Sequence, residues 1–220
     1  FQNSDIFIGG SFSGIKNFGT INAESSGYRD GFISKYIYPN TFSNFYKMSS
    51  SDLVVLKSFE FDSDGNILLV GHWGKLFQDY DINFGDLSLE SNDYIDSFVA
   101  KLDPNDGWIW ALRGTSNRDD YVNKVVVDDQ DSIIFGGTFA VSHVNEVEFS
   151  NPSPFQILGE TLSPTSRQSH LFLWKLVVDP DQDGIGAIDD SCEDGVTGWI
   201  STISLDRDSD GCLDSSEDSD

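Results

Sequence analysis

Near the end of the chain, two stretches place carboxylates at fixed intervals: DPDQDGIGAIDD (Asp179–Asp190) and DRDSDGCLDSSE (Asp206–Glu217). Both fit the spacing D-x-D-x-D-G-x5-[DE]. In such a loop alternate carboxylates point inward, and glycine permits the sharp turn. A backbone carbonyl adds the next oxygen, and the last acid completes a shell of about six to eight oxygens at about 2.3–2.6 Å from a calcium ion. The spacing assigns Asp179, Asp181, Asp183 and Asp190, with the carbonyl of Ile185, to one Ca2+ site. It assigns Asp206, Asp208, Asp210, Asp214 and Glu217, with the carbonyl of Cys212, to a second. Asp218 and Asp220 would begin a third. The plain alternative, a disordered acidic tail, leaves many like charges close together with no counter-ion. The segment is therefore expected to order with metal and to lose order without it.

Both cysteines lie in this region, Cys192 just after the first loop and Cys212 inside the second. A bridge between them would stabilise by about 3 kcal/mol on the chain-entropy argument, the alternative being two free thiols. A disulfide together with structural calcium implies an extracellular or cell-surface setting. Aspartate loops with a cysteine in each unit resemble thrombospondin type 3 repeats, and the resemblance covers residues 179–220. It departs from that pattern at Ala187-Ile188 and in the insert Glu193–Leu205. A dockerin-like docking module also carries two such loops. Each of its loops needs an amphipathic helix to follow, which Glu193–Leu205, with Gly195 and Gly198, does not supply.

The elements that carry this tail come from a chain of different composition. Residues 179–220 hold fourteen acids against Arg207 alone, out of a net charge of −24 for the protein, so a boundary falls near Asp179. Residues 1–178 form the first domain. Its share of the 17 Phe and 5 Trp supports a packed core. So negative a chain offers no basic patch for nucleic acid or an anionic membrane. No apolar run reaches the length of about 18 residues that spans a bilayer, so no direct membrane insertion is expected. A start at Phe1 in what reads as mid-strand, and a stop at Asp220 in mid-motif, read as a fragment of a longer protein.

Three segments of the first domain align without gaps: Asp5–Phe12 (DIFIGGSF), Asn66–Trp73 (NILLVGHW) and Ser132–Phe139 (SIIFGGTF). Each is followed by an aromatic anchor (Phe18, Phe84, Phe149). Each then reaches a second apolar strand, at Asp30–Tyr36, Asp96–Asp103 and His170–Leu176. The middle copy reads as four strands, Val54–Asp62, Ile67–Trp73, Ser97–Asp103 and Trp108–Gly114. Asp64-Gly65-Asn66 and Asn105-Asp106-Gly107 form the tight turns between the paired strands. Runs such as Ile67-Leu68-Leu69-Val70 are apolar on consecutive residues, so both strand faces must be covered, as when sheets stack like blades around an axis. No segment carries a helical period.

This pattern resembles the SBBP-type β-propeller repeat, matched in the middle copy by Asp62, Gly65, Asn66, Gly71, Asp96, Phe98, Val99, Lys101, Leu102, Asp103 and Trp110. The first copy lacks its opening strand. The third has Asp131-Ser132 in place of Gly-Asn and runs from Val178 into the acidic tail with no Trp strand. The resemblance implies an all-β fold, a partial β-propeller of about two and a half four-stranded blades followed by an irregular calcium-bound, disulfide-closed tail. The remaining blades would come from upstream or from another chain.

His72, His143 and His170 are scattered and read as surface or strand-end residues. Asp62/Asp64 and Asp103/Asp106 could be imagined as a glycosidase pair but sit where turns need aspartate. Trp199 falls outside the repeat and would pack on the calcium loops or make contacts. The expected function is non-enzymatic: a propeller that recognises a protein or glycan on a cell surface, and a calcium-stiffened connector. The competing reading is an extracellular hydrolase or lyase that uses the propeller's channel.

Overall fold

The computed structural model describes residues 6–38, 41–74, 81–91, 94–116, 118–140, 148–149, 155–158 and 169–178, and short pieces of the tail at 191–192, 201–202, 205–206, 211–213 and 215. No helix occurs among them. The first stretch of chain gives β1 (Ile6–Phe12), β2 (Ile15–Phe18), β3 (Ile21–Glu24), β4 (Asp30–Ile37) and β5 (Thr41–Ser50). The middle gives β6 (Val54–Phe61), β7 (Ile67–Trp73), β8 (Ile82–Phe84), β9 (Leu87–Leu89), β10 (Asp96–Asp103) and β11 (Gly107–Thr115). The last gives β12 (Asp120–Val127), β13 (Ile133–Ala140), β14 (Glu148–Phe149), β15 (Phe155–Leu158) and β16 (Ser169–Val178).

These strands build three antiparallel sheets, in the orders β1-β4-β5-β8-β9, β14-β11-β10-β7-β6 and β12-β13-β16-β15, with β2–β3 as a separate hairpin. None is closed. The three aligned segments take the same place. Phe12 pairs with Asp30, Trp73 with Asp96 and Phe139 with His170. The continuous apolar run of β7 is explained by its surroundings, since all seven of its residues are buried. Ile67, Leu69 and Trp73 face the core shared with the first sheet, among Ile33, Met48, Val54 and Phe98. Leu68 and Val70 face the opposite core, shared with Val122, Phe135, Phe139 and Phe172 of the third sheet. Alternation of side chains across a strand makes this double role possible, and each fully buried apolar side chain contributes about 1.5–3 kcal/mol.

The turn between β6 and β7 explains its residue types. Asp62 Oδ1 accepts the Asn66 N–H at 2.8 Å and Oδ2 accepts the Asn66 side-chain amide at 3.0 Å. Gly65 sits in the left-handed region at φ 84°, where glycine has no Cβ to clash. The same carboxylate takes an ion pair from Lys101 of β10 at 2.8 Å, so the turn is pinned to the neighbouring strand but one. Between β12 and β13, Asp128 repeats this. It accepts the Ser132 N–H at 2.8 Å and pairs with Lys175 of β16 at 3.1 Å. Asp131 stands where Gly65 stands and adopts the same left-handed backbone at φ 59°.

Three features differ from the sequence expectation. The stretch between the second and third strands of a unit reaches back to the preceding sheet. β8 pairs with β5 through Met48↔Phe84, and β14 pairs with β11 through Gly114↔Phe149. The place beside β16, where a Trp strand is missing, is taken by β15, with Phe155 opposite Val178. The outer face of the third sheet is also open. Leu171 is 73% and Leu173 70% exposed, so β13 and β16 are covered on one side only.

Candidate metal centre

Of the residues assigned to calcium, the structure describes Asp206 and Cys212. Asp179, Asp181, Asp183, Ile185, Asp190, Asp208, Asp210, Asp214, Glu217, Asp218 and Asp220 lie outside the described residues, as do His143 and Trp199. Among the described residues no group of three or more His, Cys, Asp or Glu is gathered that could hold a metal ion.

A short turn leads into the second loop. Both the Leu205 and Asp206 N–H groups donate to the Thr202 carbonyl, at 2.8 and 2.9 Å. This turns the Asp206 side chain inward, where it is fully buried. Its Oδ2 accepts the Ser201 hydroxyl at 2.6 Å and the Gly211 N–H at 3.2 Å. The second bond ties the first position of the loop to the sixth. Gly211 makes the closure possible at φ 85°, a conformation other residues adopt at a cost of about 1–2 kcal/mol. Buried carboxylates need such partners, because an unpaired charge in a dry site costs several kcal/mol.

The next residue, Cys212, is bonded to Cys192, with the Cα atoms 5.2 Å apart. Both cysteines are oxidised, so neither supplies a thiolate to a metal. The donor types in the two loops are carboxylates and main-chain carbonyls, all hard oxygen, and such a set fits Ca2+ rather than zinc or copper.

Elsewhere the aspartates serve other ends. Asp103 accepts the Asn105 N–H at 2.7 Å and caps the turn into β11, while Asp62 is held by Asn66 and Lys101. His72 is buried within β7, with its ring edge-on to Tyr121 at 4.8 Å. Burial, helped by the nearby Lys57 charge, pushes its pKa down to about 4. Asp120 at the start of β12 is fully buried. It accepts the Ser116 N–H at 2.5 Å, with the Ser116 hydroxyl 2.8 Å from its other oxygen. Burial, reinforced by the charges of Asp96 and Asp119, raises its pKa to about 8. Sequence reasoning did not single out Asp120, because its burial depends on how two sheets meet. No family model and no curated protein matches the chain.

Proposed function

We propose that this is a non-enzymatic extracellular or cell-surface protein. In this reading the sheets are consecutive blades of a β-propeller that recognises a protein or glycan partner through its loops. The acidic tail is a thrombospondin type 3-like connector stiffened by calcium. The observation that carries the reading is the Asp206–Gly211 closure beside the Cys192–Cys212 bridge. A first-position carboxylate turned inward onto a left-handed sixth-position glycine is what a D-x-D-x-D-G loop requires before its remaining acids can converge.

Asp179, Asp181, Asp183, Asp190 and the Ile185 carbonyl would hold one ion. Asp206, Asp208, Asp210, Asp214, Glu217 and the Cys212 carbonyl would hold the other. Bound there, Ca2+ supplies the positive charge that lets neighbouring carboxylates approach one another. The disulfide removes loop-closure entropy from the unfolded tail, and bonds of this kind persist in oxidising compartments. Among the described residues no helix is long and apolar enough to cross a membrane.

Calorimetric titration with Ca2+ tests the connector. Two sites are expected in the intact chain and one in Asp206→Asn, whose amide oxygen can still accept the Gly211 N–H but lacks the charge. Absence of binding in the intact chain would sink this reading. The recognition surface is tested by screening the intact protein against immobilised glycans and cell-surface proteins. Binding that survives removal of calcium places the partner on the sheets.

A further inference from the structure

The two covered seams between sheets share one construction, and the first sheet presents half of it with no described strand opposite. At each covered seam an outer strand runs into an opening strand: β5 into β6, and β11 into β12. The outer strand pairs with the excursion of the next unit, β5 with β8 and β11 with β14. The opening strand pairs with the central strand, β6 with β7 and β12 with β13. Both opening strands carry an irregularity at the same point, between Leu56 and Ser58 and between Val122 and Lys124. The first sheet has counterparts of the receiving strands, β1 for β7 and β2 for β8. Among the described residues β1 pairs with β4 alone, and β2 with β3 alone.

Three further observations agree. A Cβ added at Gly71 would lie 2.1 Å from the Val55 carbonyl oxygen, and one at Gly137 would lie 1.8 Å from that of Tyr121. These glycines therefore exist to let the opening strand's backbone approach. Gly10 holds the same place in β1, yet among the described residues a Cβ there meets only the Phe32 ring, at 3.5 Å. Ile6 and Ile8 are 52% and 38% exposed, whereas their counterparts Ile67 and Leu69 are fully buried. At the covered seam Met48 of β5 and Val54 of β6 pack in one core with Trp73, Phe84 and Phe98. On the first sheet Phe12, Phe18 and Phe32 take the aromatic places, and an open groove also lined by Ser11, Lys16 and Arg29 lies beside them.

We infer that the outer edges of β1 and β2, with the groove between them, form a docking site for one two-strand segment of the β11–β12 type. It would add its second strand antiparallel to β1 and its first strand to β2. The occupant is a repeat unit carried outside this array. A second copy of this chain does not supply it, because its own β5–β6 and β11–β12 are already built into its sheets. Strand addition of this kind draws affinity from main-chain hydrogen bonds and specificity from alternate side chains.

The test replaces Phe1–Asp5 by a copy of Gly107–Ser132, so that the copied turn enters Ile6 as Asp128–Ser132 enters Ile133. Hydrogen exchange of β1 amides is expected to slow at least tenfold, with β16 unchanged and the protein monomeric. Gly10→Ala should abolish that gain in the fused chain while leaving exchange in the unfused chain within twofold. A synthetic peptide of Gly107–Ser132 added to the intact protein should slow the same amides saturably. Unchanged β1 exchange in both formats overturns the inference. So does β1 protection in the unmodified protein that tracks a dimer in sedimentation.

Discussion

Gly65 and Asp131 occupy equivalent turns and take the same left-handed backbone, and the difference between them isolates what a side chain adds there. Asp131 uses its carboxylate to accept the Ser63 N–H at 2.8 Å and the Ser63 hydroxyl, which ties its turn to the neighbouring one. Asp131→Ala loses both bonds and keeps the backbone cost, so about 2 kcal/mol of stability should go. Asp131→Gly loses the bonds but relaxes the backbone, and should recover about 1 kcal/mol of that. Urea unfolding of the two variants checks this, and equal losses would refute the backbone part. A similar argument applies to Lys101. Burial alone would raise the Asp62 carboxyl, but the Lys101 ammonium and the Asn66 N–H groups hold its pKa below the ordinary value. That stability is present above the unfolded carboxylate value, about 3.9, and is lost as pH falls through the lower folded one. Lys101→Met should therefore cost about 2 kcal/mol at neutral pH and flatten the acid limb of the stability profile.

Between elements, the seam of the second and third sheets holds two buried groups with shifted pKa values, His72 on β7 and Asp120 on β12. Their shifts have opposite consequences. The His72 pKa falls from 6.5 to about 4, so between those values the unfolded chain binds a proton that the folded one does not. The Asp120 pKa rises from 3.8 to about 8, so over that range the folded chain holds a proton that the unfolded one releases. From pH 4 to 6.5 the two slopes cancel. Above pH 6.5 only Asp120 contributes, and stability should fall by about 1.4 kcal/mol per pH unit until its folded pKa is passed, about 2 kcal/mol in all. A neutral Asp120 can donate its proton to the Ser116 hydroxyl, which then donates to the Ala140 carbonyl at 3.0 Å. Asp120→Asn should remove the fall between pH 6.5 and 8 in denaturant midpoints, and persistence of the slope would exclude Asp120 as its source. Little of this seam was legible in the sequence. The central strands were, because their apolar runs and Asp-Gly turns are local signals. The His72 environment, the β2–β3 and β8–β9 hairpins and the place taken by β15 were not. They rest on pairing between units far apart in the chain, which short polar stretches do not announce.

At the scale of the whole molecule, the chain holds its shape by two different means. The described strands between residues 6 and 178 are held by apolar cores that run from Phe12 to Leu176, and among the described residues those cores include nothing from the tail. What is described of the tail instead buries Asp206 and Cys212 around one hydrogen-bonded turn and one disulfide. In the calcium reading the tail's spacing is legible because ligand geometry would impose it on neighbouring residues, whereas convergence of the carboxylates would depend on a cation that no residue pattern contains. The two parts should therefore unfold by separate rules. Ligand linkage stabilises only a state that binds, by about 2.7 kcal/mol at a hundredfold excess over Kd, so calcium should raise the tail transition and leave that of the sheets in place. Tryptophan emission separates them, since Trp73, Trp108, Trp110 and Trp174 lie in the sheets and Trp199 in the tail. A chelator should change the emission and protease sensitivity of the native chain, the emission change should vanish in Trp199→Phe, and near-ultraviolet dichroism of the sheets should hold. Adding a reductant to the calcium-free protein should loosen the tail further, because the bridge then no longer limits its unfolded ensemble. A single cooperative transition that moves as a whole with calcium would show instead that the tail packs on the sheets, and the connector reading would fall with that result.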